Sequence, residues 1–473
     1  MNPAPVGGPG REPAWPATMA WLFAAIVVAG LGYFVWRAPL QVADLVDPVE
    51  RVRDLSYREL PAAHLDPVGG FRPGNWVLVK VAADLGHRHE AAVWRGLLLA
   101  QVAAIVAVFV ALLRVRTVVD LVAALLAVLV LVGERAFHGA VVEAYPLNHF
   151  GLITLCTLAV VRLLMAPPSV GRDLAVAGVS LVAVLTLESG VVVAVAAVGA
   201  RLAGLRGASW RGVGMAVLIA MAFLVARQAA VGGEPLIGRH ATGIGFERVE
   251  AADLLARYGE RPLALYAYNV GAAALEVLAS EPRDGRWDAI AAALGEGLSP
   301  RQALEVGTSV GALLLLAWYL VRGRPRERDE AGQLVVVALI LIAGNAAIAL
   351  AYVKSAMLGP ASALLAVAVF AAARALLGRA VAPGPPWRPV VAGVAMCALM
   401  AGWTLRAADL GCQLRDEAFT KGNDWASALE FLDGGLEPRH AQARALLRRQ
   451  FVALDVPSPG VASELAPCWL GRP

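Results

Sequence analysis

Apolar runs, each about as long as a lipid bilayer is thick, recur from one end of this sequence to the other. The first, Trp15 to Trp36, carries no charged side chain, and a helix of about 20 such residues crosses the hydrocarbon core. Similar runs follow at 91–113, 117–133, 149–166, 173–187, 189–204 and 211–230, and again at 306–321, 333–352, 358–378 and 389–405. The shorter ones can be accommodated by tilt and local thinning of the bilayer. Charged residues make up only 16% of the chain against 59% hydrophobic residues, which excludes an ordinary soluble domain. The expected fold is all-α, a polytopic transmembrane bundle of about eleven spans. Because the first run is full length and many follow, it reads as an uncleaved anchor rather than a signal peptide.

The net charge of +4 does not imply a nucleic-acid partner, because the arginines sit in short clusters between apolar runs rather than along one face. They obey the positive-inside rule: with a cytoplasmic N-terminus, the short inner loops 114–116, 162–172, 201–211, 322–332 and 374–388 are studded with them, Arg114, Arg172, Arg211 and Arg388 included. The lipid bilayer is therefore the partner the composition requires, with the C-terminus outside. Parity holds if the moderately apolar stretch 262–280, which includes Tyr266, Asn269 and Glu276, is interfacial or re-entrant.

Three regions follow from this reading. Residues 1–15, rich in Pro and Gly, form a disordered tail; 16–405 form the transmembrane domain with outer loops 37–90, 134–148 and 232–305; and 406–473 form a small extracytoplasmic helical appendage. Of the four cysteines, Cys156 and Cys397 lie in apolar runs, and only Cys412 and Cys468 are placed to bridge.

Chemistry concentrates in the outer loops. The first concentrates carboxylates, Asp44, Asp47, Glu50, Asp54, Glu59 and Asp66 among them, of which Asp44 and Asp47 lie closest to the membrane exit and, three residues apart, would share a helix face. Such a carboxylate can act as a general base or be ordinary loop solvation. In the second loop, His138 and Glu143 could meet across a turn, with His149 entering the next helix. Glu188 lies at the tip of the tight hairpin 173–204, where it either caps the next helix or serves function, since a carboxylate in the membrane needs a partner. Lys354, between two late spans, could hold a phosphate or snorkel. No P-loop, dinucleotide fingerprint, HExxH or GxSxG is present, and no pair of residues has metal-ligand spacing. No cofactor is therefore expected, although a Mg²⁺ held by one or two carboxylates and substrate phosphates would leave no signature.

Four segments together resemble the GT-C superfamily of membrane glycosyltransferases, in the branch of protein O-mannosyltransferases and tetratricopeptide-bearing O-mannosyltransferases. Phe71-Arg72-Pro73 is similar to the aromatic-Arg-Pro that ends that family's first outer loop. His138 and Glu143 keep the offset of its His-Pro-x-x-x-Glu, Leu187-Glu188-Ser189-Gly190 resembles its Ser-Lys-Glu-Ser turn, and Tyr352 to Pro360 resembles its Glu-Arg-Tyr-x-Tyr-x-Pro. The likeness spans roughly residues 15–380. It implies a GT-C fold and a metal-independent transfer of a sugar from a polyprenyl-phosphate donor to a glycan, lipid or protein acceptor, at the outer face of a plasma or bacterial inner membrane. It also implies that Asp44 or Asp47 takes the acceptor's proton, that Arg72 or Lys354 stabilises the departing phosphate, and that His138 and Glu143 orient substrates. The sequence departs from the family at Leu187, at Ser355 to Met357, and in lacking an acidic doublet in the first loop. A non-catalytic GT-C relative, or a transporter of a lipid-linked substrate, is the alternative.

Overall fold

The computed structural model describes residues 14–37, 52, 54–60, 72–86, 89–142, 149–231, 256, 261–279, 295, 297–323, 330–348 and 355–434. Among these residues the structure is entirely helical. Fourteen α-helices are described: α1 (Trp15–Arg37), α2 (Pro73–Gly86), α3 (Glu90–Leu113), α4 (Val118–Gly133), α5 (Arg135–Val142), α6 (His149–Leu164), α7 (Val170–Thr186), α8 (Val191–Leu202), α9 (Trp210–Val231), α10 (Pro262–Ala279), α11 (Pro300–Trp318), α12 (Glu330–Ile348), α13 (Gly359–Val381) and α14 (Trp387–Gly434). Six stretches, in α1, α3, α9, α11, α13 and α14, are long and apolar enough to cross a membrane, and four shorter apolar helices accompany them. The protein is an integral membrane protein.

The bundle is organised around α13. Of its most apolar window, 89% is buried, and α4, α6, α11, α12 and α14 all pack against it. Its sequence explains this: Ala361, Ala363, Ala366, Ala368, Ala372 and Ala373 let neighbouring backbones come close, which in lipid is the main source of helix association. By contrast, only 17% of the α1 window and 22% of the α9 window is buried. Leu22, Ile26, Leu218 and Val225 are more than half exposed, as lipid-facing residues must be. Trp15 and Trp36, half exposed at the two ends of α1, sit where an aromatic belt is expected.

The arginines of the short loops do more than bias orientation. Arg114 ends α3 in the left-handed region, with φ 48°, and its guanidinium donates to the Met165 carbonyl at 2.8 Å and pairs with Glu330 at 3.2 Å. Asp120, 1% exposed, closes a capping box with Thr117 and meets Arg374 Nε at 2.7 Å. These contacts tie α3, α4, α6, α12 and α13 together at one end of the bundle, here the Arg114 end.

The opposite end holds Arg72, His138, His149 and Glu188, and one difference from the sequence reading, the unbroken course of α14, concerns it. α10 packs against α11, α12 and α13, with Asn269 and Glu276 buried in protein and the Tyr266 hydroxyl donating to the Ala343 carbonyl at 3.1 Å. It therefore lies against the bundle. α14 runs without a break across residue 406, the expected start of the appendage, and Arg406, Asp409 and Gln413 are buried. Cys412 is disulfide-bonded, Cys156 and Cys397 are free thiols, and Cys468 lies outside the described residues.

The tightest link at this end is the turn from α7 to α8. Leu187 is extended, and Glu188–Gly190 form a single 3₁₀ turn closed by Gly190 N–H to the Leu187 carbonyl at 2.8 Å. A Cβ at Gly190 would overlap the Ala183 carbonyl. Gly190→Ala is therefore expected to cost about 1–3 kcal/mol by forcing the helices apart, visible as a lower thermal midpoint in detergent; an unchanged midpoint would show that the turn has room to adjust.

Candidate functional site

Glu188 stands in the α7–α8 turn because that turn leaves no space on its inner side, so its carboxylate projects toward α2 and α9. Pro73, fixed at the first position of α2, places Arg72 immediately before the helix. The Arg72 Nε donates to Glu188 Oε2 at 2.9 Å. Gly74 allows the approach: a Cβ there would stand 2.8 Å from the Leu185 carbonyl oxygen. From α9, Arg227 brings its Nε to 3.8 Å from Glu188 Oε1. Two guanidiniums thus flank one carboxylate and leave a surplus positive charge. The side chains are 37%, 33% and 20% exposed for Arg72, Arg227 and Glu188, so the cluster is open to a ligand. An anion with several oxygen acceptors, such as a phosphate, matches that surplus.

Around it, α2 lies across this end of the bundle: it begins at Arg72 beside Glu188 and is followed within a few residues by α3, which descends to Arg114. Residues 54–60 are seated on α2. Tyr57 donates its hydroxyl to Asp84 Oδ2 at 2.9 Å, and Lys80 Nζ reaches Asp84 Oδ1 at 2.7 Å. The Asp84 carboxylate, accepting the phenol hydrogen, pushes the Tyr57 pKa above its ordinary value, and burial adds to this. Glu59 accepts both the Ser56 N–H and its hydroxyl at 2.7 Å, which holds its carboxyl below the usual range. Glu59 is thus a local cap, ill suited to take a proton.

The remaining candidates fall as follows. His149 opens α6, buried, with its ring 4.2 Å from that of Phe150. His138 stands on α5, which packs against α6, α13, α14 and the short helix Ser355–Leu358. Asp44, Asp47, Glu143 and Lys354 lie outside the described residues. Arg72 and Glu188 are therefore brought together, and Arg227, absent from the sequence reading, joins them. Among the described residues no three of His, Cys, Asp and Glu converge as metal ligands.

A second cluster, also unanticipated, fills the joint between α11, α14 and the α4–α5 elbow. Arg301 makes a forked pair with Asp409, Nε to Oδ2 at 2.9 Å and Nη2 to Oδ1 at 3.0 Å, and Gln413 donates to the same carboxylate at 2.8 Å. One turn below, Arg406 donates to the Glu305 carbonyl, Thr308 Oγ1 and Ser309 Oγ at 2.9, 2.9 and 3.0 Å. Arg301, Glu305, Arg406 and Asp409 are all under 7% exposed. Their spacing, 301-305-308 and 406-409-413, is the one signal in the sequence that marks a shared helix face.

Comparison with family models, with curated proteins and with solved structures gave no match. The chemistry of this end of the bundle is therefore argued from its own residues. Arg72 and Glu188 should be energetically coupled. A double-mutant cycle with Arg72→Ala and Glu188→Ala is expected to give about 0.5–1 kcal/mol, the partial exposure keeping it small; additive effects would mean that the pair does not form.

Proposed function

We propose that the protein is a GT-C-type membrane glycosyltransferase that moves a sugar from a polyprenyl phosphate to a glycan, lipid or protein acceptor on the extracytoplasmic side. One observation carries the reading: two segments that resemble the family's motifs, 116 residues apart in the chain, meet in the ion pair of Arg72 with Glu188. Arg227 completes a cationic cluster that suits the donor's phosphate.

The orientation is supported from both ends. The Arg114 end carries the arginine-rich loops of a cytoplasmic face. The disulfide at Cys412, toward the opposite end, belongs to an oxidising compartment. Eleven crossings, by α1, α3, α4, α6 to α9 and α11 to α14, satisfy this arrangement, with α2, α5 and α10 on the outer side.

In the transfer step the acceptor hydroxyl oxygen attacks the anomeric carbon and forms the new glycosidic bond. The bond from that carbon to the phosphate oxygen breaks, and its electron pair leaves with the polyprenyl phosphate. Arg72 and Arg227 stabilise the charge that develops there, with Lys354 as a further candidate cation. Asp44 or Asp47 takes the proton of the acceptor hydroxyl. Glu188 holds the two arginines on one carboxylate, and His138, Glu143 and His149 orient the substrates. The sequence favours the second reading, a GT-C relative without catalysis or a transporter of a lipid-linked substrate, at one point: Leu187 stands where the family has Lys, and the first loop lacks the acidic doublet.

Glycan and lipid-linked sugar profiles of cells carrying wild type, Asp44→Asn and Asp47→Asn separate the two. A transferase should lose a sugar from its product and accumulate the polyprenyl-phosphate donor in at least one variant at normal membrane abundance. Profiles unchanged in both variants and in a deletion would remove the transferase reading. Orientation is checked with cysteines introduced at exposed positions in a background lacking Cys397. Arg58→Cys should react with a membrane-impermeant thiol reagent in intact cells, and Arg388→Cys only after lysis; the reverse would invert the topology.

A further inference from the structure

Arg406 is one of the largest fully buried side chains in the protein, and the proposed transfer step does not use it. A charge inside a membrane bundle is costly and marks function by default. We propose that Arg406 is a positioning residue of the outer site: it seats the elbow between α4 and α5, and with it the helix on which His138 stands, against α11 and α14. Its place in catalysis rests on the transferase reading, whereas the seat itself does not.

The seat is built from three sides. From α11, Arg406 is held by the Glu305 carbonyl, Thr308 and Ser309 at 2.9 to 3.0 Å. Beneath it, the guanidinium lies over the Trp403 ring at 4.7 Å. The same indole closes against the elbow, for a Cβ at Gly133 would come within 2.7 Å of Trp403 Cε3. On the third side Glu134, at the elbow itself, is with Glu305 the carboxylate that faces the Arg406 charge, and Arg135 is the like charge beside them. Glu134 is 3% exposed, so its charge is answered within the protein.

A clamp between α11 and α14 alone would not need this arrangement, because the forked pair of Arg301 with Asp409 already joins those helices. Buried ion pairs are also a poor source of stability compared with apolar packing, and their best-attested use is to fix register. What Arg406 adds is a positive charge facing the Glu134 carboxylate of a third element, against which Trp403, stacked under the guanidinium, also packs. That element matters, since α5 packs at once on α6, α13, α14 and the Ser355–Leu358 turn, and so occupies the middle of this end.

The test uses the full chain in nanodiscs, with hydrogen exchange read over residues 134–142 and 300–309, for Arg406→Lys, Glu134→Gln and Arg301→Gln. Arg406→Lys keeps the charge and loses the fork; Glu134→Gln keeps the shape and leaves the α11–α14 contact intact. Both should raise exchange in 134–142 by about 10-fold or more, whereas Arg301→Gln should raise it only in 300–309. In a transfer assay the first two should lower kcat by about 10- to 100-fold with the donor KM little changed, as a misplaced group does. Unchanged exchange in 134–142 for both variants, or an equal rise with Arg301→Gln, would reduce Arg406 to a helix clamp and overturn the proposal. The expected exchange pattern in a protein that transfers no sugar would uphold the seat while removing the transferase reading.

Discussion

Inside a bilayer a charged side chain has no water to answer it, so the protein must supply the partner. That constraint orders this structure. The lipid-facing surfaces of α1 and α9 are apolar, the central α13 is lined by alanines, and the paired charges lie at the two ends. At the Arg114 end the pairs are local fastenings between helix termini. At the Glu188 end they reach across the bundle: Arg72 and Arg227 to Glu188, Arg301 to Asp409, and Arg406 to α11.

The two clusters at the Glu188 end differ in what they can do. Around Glu188 the side chains are a fifth to more than a third exposed and the positive charge is in excess, so a ligand can approach and has something to neutralise. Around Arg406 and Asp409 the side chains are buried, apart from the half-buried Arg135, and the acids match the bases, Glu134, Glu305 and Asp409 against Arg135, Arg301 and Arg406. An open, unbalanced cluster is suited to binding; a closed, balanced one is suited to holding other elements in place. The two roles proposed follow from that difference.

Much of the helical framework was legible because apolar runs of bilayer length have few alternatives. The α7–α8 hairpin followed from Ser189-Gly190, and Glu188 stood out as a carboxylate between apolar stretches. That Arg72 would find Glu188 was not legible, because nothing in a single sequence ties positions 116 residues apart. Arg227, inside the apolar run 211–230, belonged to no motif that marked it. Arg301 and Glu305 were assigned to an outer loop, and Arg406 and Asp409 to the C-terminal helical appendage, since an apolar run is drawn to stop at its first charges; paired charges can lie inside a helix, and here they do. The expected break at 406 failed for the same reason.

The central claim is that the cluster of Arg72, Glu188 and Arg227 holds the phosphate of a polyprenyl-phosphate sugar. Photocrosslinking with a donor analogue that carries its reactive group beside the phosphate tests it most directly. The account predicts labelled peptides containing Arg72, Glu188 and Arg227, with labelling lost in the Arg72→Ala, Arg227→Ala double variant. Labelling confined to the lipid-facing sides of α1 and α9, and undiminished in that variant, would contradict it.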